Sequence, residues 1–267
     1  MRPLKSRTTI ESLAKEVREN HGIGLSDQLD PLWLAKEERI EVLFPEGHGN
    51  DFHGRIEYIS GETPIPEEHF FMYLPEGVPR TRLNFSCAHE LGHYFLPHHQ
   101  AELRKGGSHF SEPSFLSDKE MEREADFFAG ALLIPEDTIK RRQTEDDYLE
   151  LNQVMKMAED LNVSPECAVV RYIQCTWDKC MLIVSENGKV CYYRASEEAE
   201  EGGFGGLGRK EIPLKAKARN LESSRQLVQG SASSVDWFSE RNKTADLYEE
   251  SYRIGYRSRT ITLLSFR

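Results

Sequence analysis

The sequence predicts an α+β protein built in unlike parts, and three observations carry that prediction. Apolar residues recur at helical spacing around residues 9–21, 83–96 and 119–135, and short strand-like runs lie between these segments. From residue 177 onward the strand-like runs are at residues 180–184, 190–193 and 252–263. All nine histidines lie at or before His109, whereas four of the five cysteines lie at or after Cys167. The expected division is residues 1–145 for a first domain of helices and a small mixed sheet. Residues 146–176 follow as a helical pair packed on it, and residues 177–267 as a smaller α+β domain.

Taken in order, the chain opens with a helix from Thr9 to about His21 that carries Ile10, Leu13, Ala14 and Val17 on one face. Strand-like runs follow at residues 40–44, 54–59 and 70–74. The next element is a largely buried helix, with Leu83, Phe85, Cys87 and Ala88 before its centre and Leu91, Tyr94, Phe95 and Leu96 after it. That centre reads His89-Glu90-Leu91-Gly92-His93. Residues four apart share a helix face, so His89 and His93 can offer two imidazoles to one metal ion. Glu90, adjacent to the first, is placed to take a proton from water at that ion. A histidine pair that is merely structural suits a buried face poorly, because each ring needs a polar partner; a metal supplies both.

A third ligand is expected from the helix that Pro135 ends, whose stripe is Met121, Ala125, Phe128, Ala129, Leu132 and Leu133. Glu122 and Asp126 are one turn apart and flank this stripe. Glu122 is the expected ligand, and Asp126 is expected to orient a ligand histidine through its free ring nitrogen. Glu120 and Glu124 lie about 160° to 200° around the helix from Glu122, at 100° per residue, and are expected to face water. His99 is the competing third ligand, at the last place of an HExxHxxGxxH pattern. That pattern needs a glycine to turn the chain, and Leu96 stands there. The segment Pro97-His98-His99-Gln100 reads better as a solvated loop.

The block from Arg82 to Phe95, together with Glu122, Ala125, Asp126, Phe128, Ala129, Leu132, Leu133 and Pro135, resembles the ImmA/IrrE metallopeptidase family. The resemblance covers the first two-thirds of the chain and rests on two separated motifs that agree. The family pattern often has Asn where this chain has Asp126. The resemblance implies a zincin-like domain, a Zn2+ cofactor, and a zinc-dependent endopeptidase that cuts a helix-turn-helix transcriptional repressor in a stress or mobile-element response. His89, His93 and Glu122 are then the metal ligands and Glu90 the catalytic base. Tyr94, His98, His99 and His109 are candidates for stabilising the oxyanion. The alternative is a catalytically silent protein that sequesters the repressor with the same fold, although such a protein has no use for Glu90.

Composition bounds the remaining choices. A net charge of −11 and a pI near 5.4 argue against a nucleic-acid surface. No apolar run reaches the length of a membrane span, and an odd number of cysteines fits a reducing compartment, so a cytoplasmic protein is expected. The pair of helices broken at Asn162-Val163-Ser164-Pro165 looks like a helix-turn-helix. With Arg171 its sole basic residue, the second helix reads as a packing element. Residues 180–184 and 190–193 form two strands around Glu186-Asn187-Gly188, and Cys175, Cys180 and Cys191 read as free core thiols. The GxGxxG match at Gly203–Gly208 follows an acidic run instead of a strand, so it reads as a flexible loop. Residues 252–263 alternate like one or two strands with a solvated outer face.

Overall fold

The computed structural model describes residues 7–46, 52–60, 68–105, 109–110, 120–143, 149–221, 226–238, 245–254 and 259–266. The elements in chain order are α1 (Arg7–Asn20), α2 (Pro31–Glu37), β1 (Glu41–Leu43), β2 (Arg55–Ser60), β3 (Glu68–Tyr73), α3 (Arg80–Phe95), α4 (Pro97–Leu103) and β4 (His109–Phe110). They continue as α5 (Glu120–Leu133), α6 (Glu136–Arg142), α7 (Leu151–Asp160), α8 (Pro165–Cys175), β5 (Cys180–Glu186), β6 (Lys189–Ala195), α9 (Glu197–Glu201), β7 (Leu227–Ser233), α10 (Ser234–Trp237), β8 (Asp246–Arg253) and β9 (Arg259–Phe266). The fold is mixed α+β. It divides into two compact units, residues 1–138 with 160–164, and residues 139–159 with 165–267.

In the first unit the sheet runs β1-β3-β2-β4, with β1 parallel to β3 and the other pairs antiparallel. The strands expected at residues 40–44, 54–59 and 70–74 are all present. Helix α3 lies against this sheet: Ile56 and Met72 are fully buried, as are Cys87, Ala88 and Leu91 of the helix, and the Cys87 thiol meets the Met72 sulfur at 3.6 Å. Helix α5 packs on the other side of α3, and Gly92 sets how closely. A Cβ at residue 92 would stand 3.1 Å from the Ala125 Cα and 3.2 Å from its carbonyl oxygen. Helix α1 backs α5, where the buried Arg18 donates to the Leu132 carbonyl at 2.7 Å, near the end of α5. The same guanidinium bonds the carbonyls of Gly24 and Asp27, and burial lowers its pKa to about 10 against the opposing charge of Asp27.

Pro97 sets the course of the chain beyond α3. A residue before proline is driven out of the helical region, and Leu96 has ψ 114°. The chain turns there and starts α4 at once, with Pro97 in its first turn. The solvated loop expected at residues 97–100 is therefore a helix.

The second unit is an antiparallel sheet of order β6-β5-β9-β8-β7. Asn187 and Gly188 take φ of 50° and 79° in the two-residue turn between β5 and β6, the left-handed pair that such hairpins require. One cluster of this unit joins Met181, Ile183, Leu264 and Phe266 to Phe204, Trp237 and Phe238. Helix α8 joins the sheet through Glu166, which accepts from the Tyr192 hydroxyl at 2.6 Å and pairs with Arg259 at 3.0 Å. Both helices of the pair, residues 151–159 of α7 and all of α8, group with the C-terminal sheet and not with the first domain as expected, and the Leu151 amide bonds Glu250; residues 160–164 between them group with the first unit.

Several sequence expectations change here. Strand β9 has no solvated face, because every residue from Thr260 to Phe266 is buried. Gly203–Gly208 is non-helical but not a loose loop, because it sends Phe204 and Leu207 into the core. Cys191 is exposed, unlike Cys175 and Cys180, and all five cysteines are free. Arg171, the sole basic residue of α8, is buried.

Candidate metal centre

The site is built from one face of α3 and the facing turn of α5. His89 and His93, one helical turn apart, are both fully buried, and Glu122 on α5 is 2% exposed. Three side chains converge. His89 Nε2 and His93 Nε2 are 3.2 Å apart, His89 Nε2 is 3.4 Å from Glu122 Oε2, and His93 Nε2 is 3.5 Å from Glu122 Oε1. In a tetrahedral centre with bonds of about 2.0–2.1 Å, ligand atoms stand about 3.3–3.4 Å apart. The residues present fit a divalent ion on that measure. Gly92 accounts for the reach, because a bulkier residue there would hold the backbone of α5 away from the histidines.

Each histidine also uses its second ring nitrogen. His89 Nδ1 lies 2.8 Å from Asp126 Oδ1, so the carboxylate predicted to orient a ligand ring sits in that place. His93 Nδ1 lies 3.1 Å from His99 Nδ1, and His99 Nε2 is 2.9 Å from Glu124 Oε2. His98 reaches the same oxygen at 2.5 Å. Sequence reasoning missed this arrangement. Glu124 is 2% exposed and does not face water, because α4 folds back across that side of α5. His99 is fully buried and stands behind His93, not beside His89 and His93 around Glu122. The signal that pointed this way was Pro97, which reverses the chain.

Charge sharpens the picture around His89. Burial disfavours its imidazolium, but hydrogen bonds to Asp126 and Glu122 outweigh burial and raise the pKa to about 10. In the metal-free protein at neutral pH this ring is therefore a cation held by carboxylates. Glu90 is fully buried, and its charge adds to the same effect. Its carboxylate lies against Gly54, just before β2, where a Cβ would stand 2.5 Å from Oε1. Gly54 thus makes room for the side chain beside the histidines.

Among the other candidates, the Tyr94 hydroxyl donates to Glu38 at 2.9 Å, and Glu38 also pairs with His21. Tyr94 and His98 are thus engaged elsewhere. The side chain of His109 lies outside the described residues; its backbone pairs with Ile56.

A helix bearing HExxH beneath a small mixed sheet, faced by a second helix with a carboxylate, defines a zincin-like fold. Residues 40–172 match the model of the Peptidase_M78 family, the IrrE N-terminal-like domain, and the chain belongs to that family through this segment. A solved structure of a Mycobacterium tuberculosis transcriptional regulator is similar in fold, with a TM-score of 0.61 and 12% identity over 97% of this chain and 88% of that one. No curated protein matches the chain in sequence. Among the described residues, no helix is long and apolar enough to cross a membrane.

Proposed function

We propose that the chain is a zinc-dependent endopeptidase acting in the cytoplasm. Its proposed substrate is a helix-turn-helix transcriptional repressor, cleaved to relieve repression in a stress or mobile-element response. One observation carries the peptidase reading: the buried side chains of His89, His93 and Glu122 converge at metal-ligand spacing, with the Glu90 carboxylate buried close by. The family of residues 40–172 supports the reaction class. The fold it shares with a transcriptional regulator is in keeping with a role in gene control. Free cysteines suit a reducing compartment. The acidic net charge of −11 suits a protein partner better than nucleic acid.

A zinc ion held there supplies Lewis acidity and makes nearby water a nucleophile at neutral pH. The side chains do the rest. His89, His93 and Glu122 hold the ion, and Asp126 fixes the His89 ring so that its Nε2 faces the cradle. Glu90 takes the proton of the attacking water and returns it to the leaving nitrogen of the scissile bond. This carboxylate is buried, and Gly54 holds open the space it occupies.

The test compares newly formed protein N-termini in cells expressing the wild-type chain or Glu90→Gln, with and without DNA damage. A new terminus inside a DNA-binding repressor, seen with the wild type alone, is the expected result. Repression relieved equally by both proteins would mean sequestration without cleavage.

A further inference from the structure

We infer that His99 and Glu124 are positioning residues for His93, a hydrogen-bonded chain that fixes which nitrogen of His93 faces the cradle. The inference rests on reading the site as a metal centre, and it concerns residues that sequence reasoning placed in water.

The proton count leads to it. With an ion held between His93 Nε2, Glu122 and His89 Nε2, His93 Nε2 gives its lone pair to that ion and the ring proton sits on Nδ1. That proton faces His99 Nδ1 at 3.1 Å, which must therefore accept. His99 then carries its own proton on Nε2, aimed at Glu124 Oε2 at 2.9 Å. The carboxylate ends the chain as an acceptor, and it takes a second donor from His98 Nε2 at 2.5 Å. With His93 Nε2 bound to the ion every proton on the path has one place, because a reversed His93 ring would lose its ligand lone pair. Asp126 gives His89 the same service in one step that Glu124 gives His93 in two. Supports of this kind are worth roughly 10–100-fold in metal affinity.

The spacing separates this role from a second metal site. His98, His99 and Glu124 also bring three ligand atoms together. Their contacts of 2.5 and 2.9 Å are hydrogen-bond lengths, shorter than the 3.2–3.5 Å that separates the donors around Glu122.

The test measures zinc affinity by chelator competition, the absorption of the cobalt-substituted protein, and the imidazole protons by NMR in the zinc-loaded chain. His99→Phe keeps a ring and removes the acceptor; it is expected to weaken zinc binding roughly 10–100-fold and to alter the cobalt spectrum. His99→Asn places an oxygen near the lost Nδ1 and is expected to recover most of that loss. In the wild type, His93 is expected to carry a slowly exchanging Nδ1 proton, and Glu124→Gln to shift the His99 Nε2 proton upfield. Zinc affinity of His99→Phe within twofold of wild type, or a His93 proton found on Nε2, overturns the inference. Should His99→Phe fail to fold, the two NMR readings decide alone. A wild-type chain that binds no zinc removes the metal reading and this one together. Normal wild-type binding with unaffected variants removes this one only.

Discussion

Two groups of two histidines and one glutamate lie side by side in the first unit, and they differ in spacing, not in composition. Around Glu122 the ligand atoms stand 3.2–3.5 Å apart, and around Glu124 the contacts are 2.5 and 2.9 Å. The first set is spread as though around an object, and the second is closed on itself by shared protons. Both glutamates sit on α5, two residues apart, and both are buried. What separates them is the element each one faces: α3 with its HExxH turn, or α4 folded back after Pro97. A list of metal-binding residue types would score the two groups alike, whereas the distances give them different work.

The sharpest way to break this contrast is at the proton carrier. Glu90→Gln is expected to lower peptide cleavage by about 10²–10⁴-fold with zinc affinity near wild type; cleavage at the wild-type rate would remove the scheme. Next comes the pair of glutamates. Glu122→Ala removes a ligand and is expected to cost more zinc affinity than Glu124→Ala, whose loss belongs to the roughly 10–100-fold class of supporting residues. Equal losses by chelator competition would erase the distinction drawn from spacing.

Acidity offers a third test. The pKa of His89 is raised to about 10, so an incoming ion must displace a proton from it below that pH. Zinc affinity is expected to rise about tenfold per pH unit between roughly 7 and 9, with one proton released per ion, measurable by calorimetry in buffers of different ionisation enthalpy. For the metal-free fold the sign is opposite. A raised folded-state pKa stabilises fully below the unfolded value near 6.5, and this contribution is lost as pH rises through about 10. A metal-free melting temperature that climbs over this window would contradict the ion pairing at His89.

The smallest expected effect is at Gly92. Gly92→Ala places a methyl group 3.1 Å from the Ala125 Cα, and the expected cost is about 1–3 kcal/mol of stability with weaker zinc binding. Denaturant unfolding checks the first part and chelator competition the second.

Much of this was legible in the sequence because it is local. HExxH states its own geometry through the four-residue turn. Glu122 and Asp126 declare themselves by flanking one apolar stripe at the same spacing, and both lie where that pattern puts them. Glu124 was misread because helical periodicity reports which side of α5 meets the main core, not which sides are covered later by another segment. Covering it takes the reversal at Leu96-Pro97 and the return of α4, a tertiary event that no window on α5 contains. His99 was misjudged for the same reason. In the C-terminal unit, the alternation over residues 252–263 suggested a solvated outer face, yet every residue from Thr260 to Phe266 is buried and Arg259 is paired with Glu166. The grouping of the helical pair with the C-terminal unit was also hidden, because an apolar stripe on α7 or α8 does not say which sheet will cover it.

The three converging donors come from two helices, with His93 and Glu122 standing 29 positions apart in the chain. An ion bound between them is a staple that closes a loop, and the unfolded chain loses the freedom that such closure removes. Binding confined to the folded state also stabilises by mass action, about 4 kcal/mol when free metal exceeds the dissociation constant a thousandfold. That is a large share of what holds a domain of this size together. A chain that binds metal in this way would have its lifetime in a cell tied to metal supply, with scarcity favouring its degradation.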